Sequence, residues 1–358
     1  MPSRINFRPA ALALALGLAG IASQTQALTI VLRDIGAVPM TAEQLGAFQT
    51  AANYWSSRLT DNATVYVDIG FNNLGAGVLG AAGSSTSRIS YTDLRAALTS
   101  DAKSATDATA VSFLQAGSAL SFYATQGDLS IRLDADGSTN NRQLVINTAN
   151  LKALGLGTLA GTNANNPDAT IIFANAFAGS FAYTRTNGQI PGDKIDFLTV
   201  AEHEIGHALG FVSGVDDIDG CVGPNNGCGL SNTVNRFENR AWYTPLDLFR
   251  YSAPGKLDVS VGGSPYFSID GGTSFIEAFS TGQINGNGRQ ASHFGTGVIT
   301  LMRPFVGNGQ SYDATGSDLM AFDAIGWDLA AAVPEPSQYA LLLSGLAAIG
   351  LARRRQRG

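Results

Sequence analysis

Histidine and cysteine are scarce in this chain of 358 residues, which has three of the first and two of the second. Two cysteines cannot supply a disulfide framework, and the CxxC spacing of thiolate metal sites is absent. Charge is sparse as well, at 14% against 45% hydrophobic residues, so there is ample apolar material for a core. No GxSxG run is present, which excludes a serine hydrolase of the nucleophile-elbow type. The 42 glycines are scattered and no fixed period recurs, which argues for loops and tight turns rather than collagen-like or repeat order. The length allows one large domain or two ordinary ones.

Both ends have the character of processing signals. At the front, Arg4 and Arg8 precede the apolar run "AALALALGLAGIA" and a small residue at Ala27. This run is shorter than the roughly 20 residues of a spanning helix, so residues 1–27 are expected to be a cleaved secretory signal peptide. At the back, residues 333–358 hold Pro334-Glu335-Pro336, an apolar stretch from Tyr339 to Ala352, and the cluster Arg353 to Arg355 with Arg357. A short hydrophobic helix followed by arginines should lodge transiently in a bilayer with its basic end in the cytoplasm. A permanent tail anchor is the plainer alternative. The order of the three parts resembles the PEP-CTERM sorting signal of Gram-negative bacteria. That resemblance implies export across the inner membrane, an exosortase-type processing enzyme as partner, and a cell-surface or extracellular destination.

The precursor carries 22 basic and 28 acidic residues. Loss of Arg4 and Arg8, and of four arginines and Glu335 with the tail, leaves 16 basic against 27 acidic, a net of −11. Such a chain lacks the basic face that neutralises phosphates, so nucleic acid is not an expected partner. Cys221 and Cys228 flank a Pro-Asn-Asn-Gly turn in "CVGPNNGC". In an exported protein a local disulfide is expected, with zinc ligation as its rival.

Along residues 28–332, read as one catalytic unit, "LTIVLRDI" and "ATVYVDIGF" have the β-branched and aromatic content of strands. Between them, Thr41 is a candidate N-cap, followed by Leu45, Phe48, Ala52, Trp55 and Leu59 at helical spacing. "YTDLRAALTSDAKSATDATAVSFL" is expected as a polar helical segment, and "ATIIFAN" as an edge strand able to pair with an extended peptide. "DFLTVAEHEIGHAL" is expected as a helix capped by Asp196 or Thr199 and ended by Gly210. Beyond it the chain is rich in Gly, Asn, Ser and Pro until "SDLMAFDAIGWDL". The expected class is α+β, with an N-terminal twisted mixed sheet, helices, and an irregular C-terminal part across a cleft.

Two of the three histidines fall in "HEIGH". Residues four apart share a helix face, so His203 and His207 can present two imidazoles to one ion. Glu204 is turned away from that line, placed to contact a water rather than the ion. HExxH on a helix therefore reads as one catalytic Zn²⁺ with Glu204 as general base. A third ligand is still needed, and the position three after Gly210, often histidine in the extended pattern, is Ser213. His293 in "QASHF" is the favoured candidate, because imidazole suits zinc and leaves a water position open. Glu238, Asp216, Asp217 and Asp219 are the alternatives. "DADGSTNN" has oxygen donors in the manner of part of a calcium loop, yet lacks the distal glutamate, and reads better as a polar turn.

His203, Glu204, His207 and Gly210, then a delayed His293 and Met302, resemble the metzincin metalloproteases, in which a methionine turn underlies the zinc site. Within that group the leishmanolysin-like branch delays its third histidine by an insertion, here from about Val212 to Ala291. "DADGSTNN", "NLKALGLG", "HEIGHALGFVSGVDD", "PLDLFRYS", "QASHF" and "AFDAIGWDL" together resemble PEP-CTERM-bearing bacterial metalloproteases. The resemblance implies a metzincin-like fold and a secreted zinc endopeptidase acting on protein or peptide. A non-catalytic surface or matrix protein with a structural zinc is the competing expectation.

Overall fold

The computed structural model describes residues 28–224, 228 and 237–331. The signal-peptide segment 1–27 and the tail 333–358 lie outside the described residues. Among those that are described, no helix is long and apolar enough to cross a membrane.

Strand β1 (Thr29–Asp34), helix α1 (Ala42–Ser56) and strand β2 (Thr64–Asn72) open the fold, with β1 and β2 parallel, Thr29 facing Thr64. Thr41 begins α1 through a full capping box with Gln44. Phe48, Ala52 and Trp55 are buried along one helix face. Leu45, by contrast, is exposed, and Leu59 lies beyond the helix end yet is buried. Strand β3 (Gly80–Ser84) is followed by β4 (Thr86–Ser90). Helices α2 (Tyr91–Asp101) and α3 (Ala105–Ser112) come next. The polar helical segment is thus two helices, because Ala102 leaves the helical conformation at the end of α2 and Ser104 begins α3 in a second capping box with Asp107.

A hairpin of β5 (Phe122–Thr125) and β6 (Ile131–Asp134) leads into α4 (Thr139–Arg142), β7 (Gln143–Asn147) and α5 (Thr148–Ala153). Strand β8 (Ala169–Ala174) completes a mixed four-stranded sheet in the order β1-β2-β8-β3. Here the edge-strand expectation for "ATIIFAN" is corrected. β8 runs parallel to β2 on one side and antiparallel to β3 on the other, with Gly80 opposite Phe173. Its near-continuous apolar content belongs to a strand flanked on both sides. The sheet's edges are β1 and β3, and the "GAAGS" of β3 lacks the branched residues that mark strands.

Two-residue strands β9 (Phe181–Ala182) and β10 (Ile195–Asp196) pair just before helix α6 (Phe197–Ala208). Helix α6 packs against α1, β3 and β8. Phe48 meets Phe173 and Phe197 edge-on at 5.2 and 5.0 Å, and the Trp55 indole N–H donates to Glu202 O at 2.7 Å. Each such buried aromatic contributes about 2–3 kcal/mol, so α6 is fixed on α1 and the four-stranded sheet. The C-terminal half holds α7 (Val215–Cys221), a small sheet of β11 (Arg250–Ala253), β12 (Lys256–Leu257), β13 (Tyr266–Phe267) and β14 (Glu277–Ala278), and α8 (Gly316–Ala324). Helix α7 was not expected from its short acidic sequence. Cys221 at its end is disulfide-bonded to Cys228. The fold is mixed α+β with several small sheets.

The chain returns to its start at Trp327–Leu329, where the Asp328 N–H donates to Asp61 at 2.9 Å. Asp61, Asp101 and Asp328 gather there, and Lys103 reaches Asp328. Burial, then the charge of Asp328, pushes the Asp61 carboxyl up to about 7. A carboxyl raised on folding stabilises fully below its unfolded pKa of about 4, and that contribution is lost as pH climbs through 7. Asp61→Asn keeps an acceptor for the Asp328 N–H without the charge. It should be more stable than the parent by roughly 1–3 kcal/mol at pH 8 and nearly equal to it at pH 4. Urea unfolding at the two pH values measures this, and a gap that does not change with pH would contradict it.

Candidate metal centre

Helix α6 begins where Asp196 accepts from the Thr199 N–H at 3.2 Å and hydroxyl at 2.7 Å, satisfying an otherwise orphaned helix start. Arg185 clasps the same carboxylate at 2.5 Å and reaches Asp313 at 3.0 Å. The helix ends at Leu209, and Gly210 turns the chain at φ 121, a conformation that L side chains rarely adopt. His203 and His207 project one helical turn apart, and His293 arrives from the remote loop before Phe294. The three Nε2 atoms stand 3.0, 3.2 and 3.2 Å from one another.

Each ring turns its other nitrogen to a backbone carbonyl: His203 Nδ1 to Leu301 O at 2.8 Å, His207 Nδ1 to Phe211 O at 2.6 Å, and His293 Nδ1 to Gln290 O at 3.2 Å. A carbonyl only accepts, so each Nδ1 carries the proton and each Nε2 presents a lone pair. Burial, then a neighbouring imidazole, pushes all three rings down to about 3, so they are neutral at pH 7. Three lone pairs facing one another repel unless a cation lies among them. Tetrahedral zinc with Zn–N of about 2.0–2.1 Å sets its nitrogens roughly 3.3 Å apart. The donor set fits such an ion in type, protonation and spacing, and no carboxylate or cysteine joins this group among the described residues.

Glu204 is 7% exposed and leans on the free edge strand, where a Cβ at Gly80 would lie 3.2 Å from its Oε1. Burial pushes its carboxyl up to about 8, opposed by the Ala82 backbone N–H. Beneath the helix, Met302 is fully buried, and a Cβ on Gly206 would come within 2.7 Å of its Sδ. Asp318 at the start of α8 receives the N–H groups of Leu301 and Met302 at 3.0 and 3.1 Å. That turn in turn carries the carbonyl that orients His203.

Ser213, where a histidine was the usual expectation, is buried and binds no imidazole. Its N–H donates to Ser292 Oγ at 3.0 Å and its hydroxyl to Asp247 at 2.5 Å. It ties the entry of the Val212-to-Ala291 segment to its exit, one residue before His293. Asp216 accepts the N–H groups of Ala291 and Ser292 at 2.5 and 3.0 Å, and the Ser292 hydroxyl as well. Asp219 receives those of Ile284 and Asn285. These aspartates, weighed as ligands in the sequence, brace the loop instead, while Asp217 is exposed. Glu238 is brought to "DADGSTNN": it accepts from Ser138 at 2.7 Å and gathers with Asp134 and Asp136. Asp134 holds the amides of Asn140 and Asn141, as a polar turn does.

A cleft of about 700 Å³ separates the halves, with β3 on one wall and His203, Glu204, His207 and His293 at its floor. Sequence reading missed β3, the Ser213–Asp247 and Asp216 braces, Asp318, and two arginines of the cleft, Arg289 and Arg303. Only the acids of "SGVDD" offered a signal, and their spacing does not say what they bind.

Residues 332–356 match the PEP-CTERM protein-sorting motif. The tail is a sorting signal. It implies export and sorting to the cell surface in a Gram-negative bacterium, with an exosortase-type enzyme as processing partner. Nothing matches among curated proteins or among solved structures.

Gly214 follows Ser213, donates to Asp247 at 2.9 Å, and lies so close to the next segment that a Cβ would be 2.1 Å from Trp242 O. Backbone cannot yield as a side-chain tip does, so Gly214→Ala should cost about 3 kcal/mol of stability. Urea unfolding measures it, and a variant within 0.5 kcal/mol, about the scatter of neutral surface changes, would refute the contact.

Proposed function

We propose that the protein is a secreted zinc-dependent endopeptidase. One observation carries the reading: three neutral imidazoles whose Nε2 lone pairs converge at 3.0–3.2 Å beside a buried glutamate, on the floor of an open cleft. Bound zinc would supply a Lewis acid that polarises the scissile carbonyl and acidifies a water. His203, His207 and His293 would hold it, with the three backbone carbonyls fixing their tautomers. The positive charge of that ion would offset the burial that raises the Glu204 carboxyl and keep it ionised; Glu204 then accepts a proton from the water that adds to the carbonyl carbon, and delivers it to the amine as the C–N bond breaks. The free edge of β3, beside Glu204, is suited to pair with an extended peptide, the role first expected of "ATIIFAN", Ala169 to Asn175. The metzincin likeness rests on the order His203, Glu204, His207, Gly210, His293 and Met302, and on Met302 lying under the histidine helix.

A non-catalytic protein with structural zinc is the second reading. It is disfavoured because, among the described residues, the cluster has three donors rather than the four of a closed structural site. His293→Ala should lose bound zinc while Glu238→Ala retains it, measured by metal analysis of the purified proteins. Glu204→Gln should keep zinc and lose at least about a hundredfold in casein hydrolysis. Zinc retained in His293→Ala and lost in Glu238→Ala would reverse the ligand assignment. Full activity in Glu204→Gln would remove its role as base.

A further inference from the structure

The chain is acidic, but its cleft is not. Among the described residues lining it, Glu204 is the only carboxylate, whereas Arg289 and Arg303 both stand on its wall. Arg33 and Arg185 elsewhere pair with aspartates at 2.6 and 2.5 Å. Among the described residues, neither cleft arginine forms an ion pair. Arg303 donates to the Tyr312 hydroxyl at 3.0 Å and to Thr296 O at 3.4 Å, while its buried Nε has no hydrogen-bond partner. Its guanidinium lies 4.3 Å from the centre of the Phe305 ring, and that of Arg289 lies 5.3 Å from the same ring. Phe305 is 41% exposed, so both cations are held on an open aromatic plate rather than sunk in the core. Arg303 follows directly on Leu301 and Met302, the turn that orients His203.

A partly desolvated guanidinium with unused donors is an incomplete arrangement, and a carboxylate, with two acceptor oxygens, matches its fork. Among the described residues that line the cleft, Glu204 is the one carboxylate and it pairs with neither arginine, so the group that completes them can arrive with the bound molecule. We infer that Arg303 and Arg289 form a carboxylate-recognising wall of the cleft, which selects peptides bearing an acidic group close to the bond placed over the histidines. This inference rests on the endopeptidase reading and names the substrate class of the same site. The carboxylate can be an internal aspartate or glutamate side chain, or a peptide's own C-terminus.

Three peptides of one sequence separate these sources: capped at both ends with a central Glu, capped with Gln there, and Gln with a free C-terminal carboxylate. Binding is read by fluorescence anisotropy on the zinc-loaded Glu204→Gln protein, and cleavage on the wild type. The capped Glu peptide should bind on the order of tenfold tighter than its Gln counterpart. Arg303→Gln should erase most of that ratio, and Arg303→Lys should retain part of it. Arg289→Gln, at an exposed position where folding is not at stake, should reduce it. Tight binding of the free-terminus peptide alone keeps carboxylate recognition and assigns it to chain ends. Equal binding of all three overturns the inference, while cleavage of all three would leave the endopeptidase reading intact. Selective binding with no cleavage by the wild type keeps the arginine wall and removes the hydrolytic reading.

Discussion

Everything at the centre of this molecule depends on three carbonyl oxygens that take the Nδ1 protons of three histidines. Leu301, Phe211 and Gln290 leave each ring one way to be neutral, and burial leaves neutrality as the only state at ordinary pH. The lone pairs then point at one another, a repulsive arrangement that the rest of the fold holds in place. α1 and the sheet hold α6; Asp318 holds the turn under His203; Asp216, Ser213 and Asp247 hold the loop of His293. The two nearby histidines need only a helix. The distant one needs most of the C-terminal half.

That division explains what could be read from sequence. Spacing within a helix is local, so His203, Glu204, His207, the Asp196 cap and the turn at Gly210 were all legible. His293 was legible for a different reason: with three histidines in the chain, a third imidazole could come from nowhere else. The Asp216 and Asp247 braces were not legible, because a carboxylate that receives backbone N–H groups has the same sequence signature as one in solvent or on a metal. Their role exists only once residues some 30 to 75 positions away are folded beside them.

The sheet shows the same limit from the other side. Strand content was correct for Thr29–Asp34, Thr64–Asn72 and Ala169–Ala174, but strand order is a long-range property. "ATIIFA", apolar toward both faces, could have been read as internal. "GAAGS" could not have been read as a strand at all, since its pairing with β8 comes from backbone and its sparse side chains make room for Glu204.

The cross-link between Cys221 and Cys228 sits at the end of α7, whose first turn contributes Asp216. Thiols stay reduced in the bacterial cytoplasm and oxidise beyond it. The staple on the helix that steadies the third imidazole therefore closes only after secretion. The last covalent brace beside the centre is thereby added in the oxidising compartment to which the sorting tail directs the chain.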